Sequence, residues 1–426
     1  MKLRGILGES AAALAVANGA YIFTFLCNIA LVRMLLPQDF GAVALALSLF
    51  GIIEVVTTFS LNTVLIQQRE QLSLARAIFQ VALAVIGLKL VIGAIFYLVV
   101  RDRYEDQIWQ LFGLIFGSKL FAGVGTLLVA RLEKRGEFLR ATLVTVGANV
   151  AAVIAALIAV FFGLGVYGLV LREILPALLI SIVMLLFYPA LFPGKMDDIN
   201  KRQLRVVVAV SFRLYFQRGA EISYMRIPSI MIENFFGGAA LGLYSQATYL
   251  VTLVNRVTST VNQQIATVFF SHNRRDEHET RQGYLALLGL NLVLALPVMA
   301  LLWFYPSRIV LFLWNEEWLG AVPYLRLMAI LTLLLPVFTL LKSRLLGLRR
   351  NTAITLVYLI GVVFLAGGLW SVRELPQSDS WVAGLTVAAY ALMTLLCAFA
   401  LSWHGRRRAA APSDAQFTVR MAGQAD

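Results

Sequence analysis

The sequence has little charge and few side chains that perform chemistry. Of its 426 residues only 14% are charged and 60% are hydrophobic, whereas a soluble domain has roughly 25% charged residues. The two cysteines, Cys27 and Cys397, stand singly in apolar runs near opposite ends of the chain, which excludes a disulfide framework and a thiolate metal site. The three histidines lie in polar segments without metal-ligand spacing. We therefore expect neither a metal site nor an enzyme.

Long apolar runs are the main feature of the chain. They exceed the roughly ten residues of an outer-membrane barrel strand and reach the roughly 20 residues that a helix needs to cross a bilayer. We predict an all-α polytopic membrane protein with about twelve transmembrane helices. The predicted spans are 11–36, 41–65, 75–100, 108–130, 140–162, 165–190, 206–235, 239–268, 283–305, 319–341, 352–371 and 381–403.

These spans divide into two halves of six. We predict an amino-terminal six-helix lobe at 1–193, a cytoplasmic loop at 194–205, a carboxyl-terminal six-helix lobe at 206–404 and a disordered cytoplasmic tail at 405–426. Segments on the same side as both termini, including a loop that begins at Lys342, contain 23 Lys and Arg residues, and the opposite segments contain 5. Cytoplasmic loops carry such an excess, so both termini are expected in the cytoplasm.

Charged residues inside the spans are the most informative feature of the sequence. A charge at the centre of a membrane helix costs about 2.5–3.5 kcal/mol on insertion scales, so the side chain normally faces a bundle interior or a wet cavity. Only three carboxylates accompany eight basic residues, which predicts an anion or ordered water in the interior. The carboxylates are Glu54, Glu173 and Glu221, and the basic residues are Lys89, Lys119, Arg172, Arg213, Arg218, Arg226, Arg256 and Arg326.

The stretch 206–236 concentrates these charges. At helical spacing Arg213, Gln217 and Glu221 share one stripe, and Arg218 lies three residues before Glu221, within pairing distance. We interpret this helix as the lining of a cavity, with Pro228 bending its far end. The alternative for the other basic residues is snorkelling to the headgroups or structural pairing. That alternative applies to Arg172 beside Glu173, to Arg226 and to Arg326.

Uncharged polar residues recur on several other spans. The first span presents Asn18 and Asn28 on one face, and the second presents Glu54, Thr58 and Asn62 at intervals of four. The eighth span is polar from Asn255 through Asn262 to Gln264. Hydrogen bonding between helices is the simpler explanation for such residues, and a water-accessible interior is the other. In the fourth span Gly113 and Gly117 have the spacing for close helix packing.

A faint internal repeat relates the two halves. Residues 36–45 (LPQDFGAVAL) align with 237–246 (GGAALGLYSQ), so that Gly41 corresponds to Gly242. The basic loop 131–138 corresponds in the same order to 346–351. Because each half has six spans, both halves share one orientation and would be related by an axis along the membrane normal.

These segments also carry a family resemblance. The turn from Arg33 through Pro37 and Asp39 to Gly41 (RMLLPQDFG) resembles the corresponding turn of polysaccharide and O-antigen flippases. Those proteins belong to the multidrug/oligosaccharidyl-lipid/polysaccharide exporter superfamily. The segments 241–247, 131–140 and 305–318 are also similar, and the resemblance extends from about residue 8 to 403. The chain departs from it at Ser60, where the family often has glycine.

The resemblance implies a V-shaped, MATE-like bundle that moves a polyprenyl-diphosphate-linked oligosaccharide from the cytoplasmic to the periplasmic leaflet of the bacterial inner membrane. It implies a monomer with the lipid-linked glycan, membrane lipids, a polysaccharide polymerase and glycosyltransferases as partners, and no nucleic acid. We expect no cofactor apart from a coupling ion, either a proton or sodium.

The candidate residues follow from the charges and polar positions above. The expected substrate-binding residues are Arg213, Arg218, Arg256, Lys119, Lys89, Arg226 and Arg326. The expected ion-coupling or pairing residues are Glu54, Glu221 and Glu173, and the expected cavity-lining polar residues are Asn18, Asn28, Gln217, Asn255 and Asn262.

Two other functions fit a polytopic membrane protein. A cation-coupled exporter of drugs or metabolites could use the same fold, but a cationic cargo favours intramembrane carboxylates, which are few here. A membrane glycan polymerase, ligase or glycosyltransferase normally needs a carboxylate pair or a sizeable extramembrane loop. No loop between the predicted spans clearly exceeds about sixteen residues.

Overall fold

The computed structural model describes residues 3–67, 72–192, 201–272, 277–348, 350–375 and 378–410. These residues form helices and no strand, which confirms the all-α prediction. Short helical turns at Arg101–Arg103, Pro189–Leu191 and Glu316–Ala321 join some of them. The helices are α1 (Leu3–Met34), α2 (Pro37–Thr57), α3 (Leu61–Gln67), α4 (Leu72–Val100), α5 (Asp106–Lys134), α6 (Phe138–Phe161), α7 (Gly165–Phe187), α8 (Lys201–His272), α9 (Glu277–Phe304), α10 (Pro306–Leu313), α11 (Val322–Met328), α12 (Leu331–Gly347), α13 (Asn351–Val372) and α14 (Ser378–Ala410).

Many of these helices are long and apolar enough to cross a bilayer. Among the described residues there are eight, or ten if two pairs of helices bent by 92° and 51° each count as one span. The chain is therefore a multi-pass membrane protein. The two remaining predicted spans coincide with the two halves of α8, at 201–236 and 238–272. The total of twelve stays a prediction, because both halves of α8 carry several charges.

The turn inside α8 depends on a glycine. Gly237 has φ 84° and ψ 172°, the only non-helical backbone within the helix. A residue with a Cβ is strained at such a φ, whereas glycine adopts it freely. Pro228 lies within the first half of α8, and the kink between its two halves comes nine residues later, at Gly237.

The second predicted span is not one continuous helix. The expectation that Glu54, Thr58 and Asn62 share one helical face is wrong, because α2 ends at Thr57 and α3 begins at Leu61. Thr58 is extended and Ser60 has φ 45°. A run of β-branched residues followed by serine has low helix propensity, which explains why the break falls there.

Two predicted boundaries also shift. The helix α8 begins at Lys201, inside the predicted loop 194–205, and α14 continues to Ala410, into the predicted tail. Lysine, arginine and alanine favour helix, so each helix extends beyond its apolar run. Residues 193–200 and 411–426 lie outside the described residues.

Because consecutive spans alternate in direction, the bundle has two distinct ends. We call the end that carries residue 3 and residue 410 the inner end, and the opposite end, with Met34 and Phe304, the outer end. The names describe position in the bundle only.

The two halves of the chain meet at the outer end through reciprocal glycine contacts. A Cβ added at Gly41 would lie 2.7 Å from the carbonyl carbon of Gly238, and a Cβ added at Gly242 would lie 2.6 Å from that of Pro37. The internal repeat relates Pro37 to Gly238 and Gly41 to Gly242, so each contact is the symmetry mate of the other. Reciprocal contacts of this kind are the mark of a twofold axis.

The prediction that another helix packs closely at Gly113 and Gly117 is wrong. A Cβ added at either position would meet no atom within 4 Å. The spacing of small residues identifies a face that a helix could pack closely, but it does not say whether another helix lies there.

Further contacts hold the outer end together. The Trp318 side chain is fully buried, and its Nε1 donates a hydrogen bond of 3.0 Å to the carbonyl of Val32. Its ring also packs edge-on against Phe40, with 5.3 Å between ring centroids. Arg33 Nε donates a 3.0 Å hydrogen bond to the carbonyl of Leu313. These bonds link the first half of the chain to the second at the outer end.

Candidate functional site

A large cavity lies between the two halves of the chain. Its volume is about 1280 Å³, and its lining comes from α2 to α5 on one side and from α8, α12 and the start of α13 on the other. The lining residues occupy the end of α2, the middle of α4 and of α5, and the last turns of α12. The cavity therefore extends from the inner end to about the middle of the bundle, and the glycine contacts lie beyond it.

One side of the cavity carries a connected group of charges, which we call the C-terminal wall: Arg218, Glu221 and Lys342. Arg218 Nη1 donates a 3.0 Å hydrogen bond to Glu221 Oε2, which confirms the pairing predicted from their spacing. Lys342 Nζ lies 2.6 Å from Glu221 Oε1. One carboxylate thus binds two cations from two different helices.

Tyr358 on α13 completes this group. Lys342 Nζ donates a 2.9 Å hydrogen bond to Tyr358 Oη, and Tyr358 Oη lies 3.3 Å from Glu221 Oε1. The Tyr358 ring packs edge-on against Phe338 of α12 and contacts Tyr224 of α8. Three helices therefore hold Lys342 and Glu221 in position.

The opposite side carries the charges that we call the N-terminal wall: Glu54 on α2, Lys89 on α4 and Lys119 on α5. Lys89 Nζ lies 5.7 Å from the centre of the Phe50 ring. Lys89 is close enough to Glu54 to attract it and close enough to Lys119 to repel it. Within the described part of the chain, neither lysine has a carboxylate within 4.0 Å.

Uncharged polar groups surround these charges. The break between α2 and α3 exposes backbone and hydroxyl groups to the cavity, and Gln217 contributes an amide from α8. The Gln217 Oε1 atom is buried and has no hydrogen-bond partner within the described residues. The other uncharged polar lining residues are Thr57, Thr58, Ser60, Asn62, Thr63, Thr126 and Asn351.

Lys342 is the main site residue that the sequence prediction missed. The sequence predicts an inner loop there because the tenth apolar run ends at residue 341, but α12 continues to Gly347. Lys342 directly follows the apolar run, and this position is the signal that could have placed it on the helix. Such basic residues at helix ends are routinely counted as loop residues.

Several predicted site residues lie outside this cavity. The Arg226 stem crosses the face of α2 at Gly51, where an added Cβ would lie 2.9 Å from Arg226 Cδ. Arg326 is exposed on α11. Asn18 has a buried Oδ1 atom without a hydrogen-bond partner in the described residues, and neither it nor Asn255 lines the cavity.

Glu173 and Asn28 belong to a separate polar cluster. Arg172 Nε lies 3.2 Å from Glu173 Oε1, which confirms the pairing alternative for Arg172. Arg172 Nη1 donates to Asn28 Oδ1 at 2.5 Å, and Asn28 Nδ2 donates to Gln246 Oε1 at 3.2 Å. This chain of hydrogen bonds joins α7, α1 and α8, so a structural role accounts for these side chains.

The side chains of Arg213, Arg256 and Asn262 lie outside the described residues, although their backbone belongs to α8. Their predicted roles stay predictions.

The basic residues in the last turn of α5 have a structural role at the inner end. Lys134 Nζ donates a 2.7 Å hydrogen bond to the carbonyl of Leu65, and Arg131 Nη1 donates to the carbonyl of Leu191. Basic side chains that reach the last carbonyls of neighbouring helices satisfy groups that would otherwise lack partners.

Comparison with known proteins places this architecture in a family. The family described as polysaccharide biosynthesis protein matches residues 30–323. The chain belongs to this family. The match confirms the resemblance predicted from the turn at Arg33–Gly41, and it includes most of the helices that line the cavity.

Two individual relatives are also named for polysaccharide biosynthesis. The chain is 24% identical over 323 residues to the succinoglycan biosynthesis transport protein ExoT of Rhizobium meliloti (strain 1021), covering 74% of this chain and 63% of ExoT. It is 28% identical over 125 residues to the teichuronic acid biosynthesis protein TuaB of Bacillus subtilis (strain 168), covering 29% of this chain and 25% of TuaB. The chain therefore spans less than two thirds of the length of these curated relatives.

The fold of this family member is also found among solved structures. An inward-facing multidrug resistance MATE family transporter of the MOP superfamily superimposes with a TM-score of 0.68 at 15% identity, covering 92% of this chain and 99% of that one. The likeness confirms the MATE-like fold.

Proposed function

We propose that this protein is a flippase that moves a polyprenyl-diphosphate-linked oligosaccharide, the repeat unit of a polysaccharide, from the cytoplasmic to the periplasmic leaflet by alternating access. The observation that carries the proposal is the cavity, which places four cationic side chains among membrane-spanning helices of a polysaccharide biosynthesis protein. Fixed cations in such a place are costly unless an anion meets them.

The lining suits the two parts of this substrate. A lipid diphosphate presents about two negative charges, and lysine and arginine bind phosphate oxygens through charge-assisted hydrogen bonds. The hydroxyl and amide groups around Ser60 and Asn62 offer partners for sugar hydroxyls. The volume of about 1280 Å³ exceeds the roughly 300–1,000 Å³ of typical small-molecule pockets, as a sugar headgroup requires.

We assign the inner end to the cytoplasm of a bacterium and the protein to its inner membrane, because the basic residues concentrate at that end. The cavity would then receive substrate from the cytoplasmic side while the glycine contacts and Trp318 close the periplasmic side. Movement of one half of the bundle against the other would reverse the two. A proton or sodium gradient could drive the cycle, and a polymerase and glycosyltransferases would act on either side of it.

Complementation of a deletion strain tests the proposal. Loss of the gene should abolish the surface polysaccharide, and the wild-type gene should restore it. The double variant Lys89→Met/Lys119→Met should fail to restore it at an equal amount of membrane-inserted protein. The matched control is Lys201→Met, an exposed lysine outside the cavity. Normal surface polysaccharide in the deletion strain would refute the function, whereas full activity of the double variant would refute only the site.

A cation-coupled exporter of drugs or metabolites is the alternative function on the same fold. The lining has four cationic residues and two carboxylates, which disfavours a cationic cargo by charge repulsion. Resistance to cationic drugs on overexpression, together with normal surface glycans in the deletion strain, would reverse this ranking.

A further inference from the structure

We propose that the two walls of the cavity have different roles. Lys89 and Lys119 bind the diphosphate, whereas Glu221 is a positioning residue that holds Arg218 and Lys342 in ion pairs and so reduces their binding to the diphosphate. This inference rests on the proposed function and assigns the diphosphate to one side of the cavity. It predicts that cations with similar access to the cavity contribute unequally to binding.

The C-terminal wall is internally paired. Both oxygens of Glu221 are used, one by Arg218 at 3.0 Å and the other by Lys342 at 2.6 Å. The side chains of Glu221 and Lys342 are only 17% and 19% exposed. A phosphate that binds Lys342 must first displace the Glu221 carboxylate that already contacts it. Arg218 is 53% exposed and uses only Nη1 in its bond to Glu221, so a phosphate that binds its other N–H groups lies beside that carboxylate. In both cases the carboxylate faces the incoming anion, and like charges repel.

The two lysines of the N-terminal wall are not held in close ion pairs. Lys89 and Lys119 repel each other across α4 and α5, and no carboxylate of the described residues lies within 4.0 Å of either. Glu54 attracts Lys89, and Glu173 attracts Lys119, from a greater distance. A diphosphate between the two lysines would relieve their repulsion without breaking an existing ion pair. It therefore gains more interaction energy on this wall.

The packing around Lys342 indicates that the C-terminal wall keeps its pairing. The Lys342 ammonium lies 5.1 Å from the centre of the Tyr358 ring and donates a 2.9 Å hydrogen bond to Tyr358 Oη. Tyr358 is itself buried among Phe338 and Tyr224. A side chain held by contacts from three helices is pre-organised, and moving it toward a ligand forfeits those contacts.

Direct binding measurements on purified protein in nanodiscs test the inference. The probe is radiolabelled farnesyl diphosphate, with farnesol as the uncharged control and inorganic pyrophosphate as competitor. We expect Lys89→Met and Lys119→Met each to weaken binding at least tenfold, because each removes a charge-assisted contact. Lys89→Arg and Lys119→Arg should stay within threefold of wild type. Lys201→Met is the matched control and should bind as wild type does.

The variants of the C-terminal wall make the test selective. Arg218→Met should weaken binding less than threefold. Glu221→Gln should tighten it severalfold, because the two released cations become available to the diphosphate. A merely structural role for Glu221 predicts weaker binding instead. Size-exclusion profiles and melting temperatures check that every variant is folded. If a methionine variant does not fold, the matching arginine variant still tests whether a positive charge at that position is sufficient for binding.

The outcomes separate this inference from the proposed function. Wild-type protein that binds neither farnesyl diphosphate nor pyrophosphate would refute the proposed function. Wild-type binding with an equal loss in Arg218→Met and Lys89→Met, or weaker binding in Glu221→Gln, would overturn the division between the walls and leave the function standing. Competition by pyrophosphate as strong as by unlabelled farnesyl diphosphate would show that the diphosphate alone, without the lipid, accounts for recognition.

Discussion

Replacing Gly41 by alanine should disfavour the arrangement in which the outer end is closed. The added Cβ would lie 2.7 Å from the carbonyl carbon of Gly238, whereas carbon atoms in contact normally lie about 3.5–4.0 Å apart. The two backbones must therefore separate by roughly 1 Å. Neither atom belongs to a flexible side chain, so an overpacking cost of about 1–3 kcal/mol applies. Gly242→Ala should act in the same way through Pro37.

A conformational equilibrium converts this cost into a large change of population. Because every 1.4 kcal/mol is a factor of ten, a cost of about 2 kcal/mol lowers the population of this conformation roughly 30-fold relative to one in which the glycines separate. The gain in helix propensity from glycine to alanine, up to about 1 kcal/mol, is common to both conformations and cancels.

Labelling of a cysteine at the cavity measures the shift. In a background with Cys27→Ala and Cys397→Ala, the variant Asn62→Cys places a thiol on an exposed lining position. Its reaction with a membrane-impermeant maleimide should slow when Gly41→Ala is added, by up to about 30-fold. The control is Gly113→Ala, where an added Cβ meets nothing within 4 Å. Rates for the two alanine variants that agree within twofold would refute the reasoning.

Three further predictions concern stability in detergent. Ser60→Gly should raise the free energy of unfolding by about 0.5–1 kcal/mol. Glycine removes a left-handed backbone strain of about 1–2 kcal/mol at φ 45°, and its extra backbone entropy in the unfolded chain costs less than that. A lower melting temperature would contradict this. Trp318→Phe should lower the free energy of unfolding by about 1 kcal/mol through loss of the bond to Val32, and an unchanged melting curve would count against that bond. Arg172→Met should cost about 2 kcal/mol by leaving Glu173 without its partner, and adding Glu173→Gln should recover most of it; no recovery would contradict the pairing.

Charge and apolar length were sufficient to predict much of the site. A cavity lined by Lys89, Lys119, Arg218 and Glu221 follows from the rule that a charge inside a span faces the bundle interior. The bond between Arg218 and Glu221 follows from their spacing on one helix. Both inferences depend on local periodicity, which the sequence shows directly.

Features that depend on contacts between distant segments were not predictable in this way. Lys342 pairs with Glu221 from 121 positions away, and nothing in either segment alone indicates the partner. The repeat aligned Gly41 with Gly242, but only the structure shows that each packs on the other half while Gly113 and Gly117 do not pack closely. The helix break at Ser60 reflects weak local propensity, which an apolarity scan does not register.

The charges that line the cavity also bear on how voltage would act on the proposed transport cycle. Four cationic side chains and two carboxylates leave two positive charges in the empty cavity, and a diphosphate would cancel them. The loaded step would then move almost no net charge across the membrane field. The empty return would move up to two, each worth about 2.3 kcal/mol per 100 mV. A negative cell interior would therefore hold the unloaded carrier open toward the cytoplasm, ready for the next substrate, and act little on the loaded one.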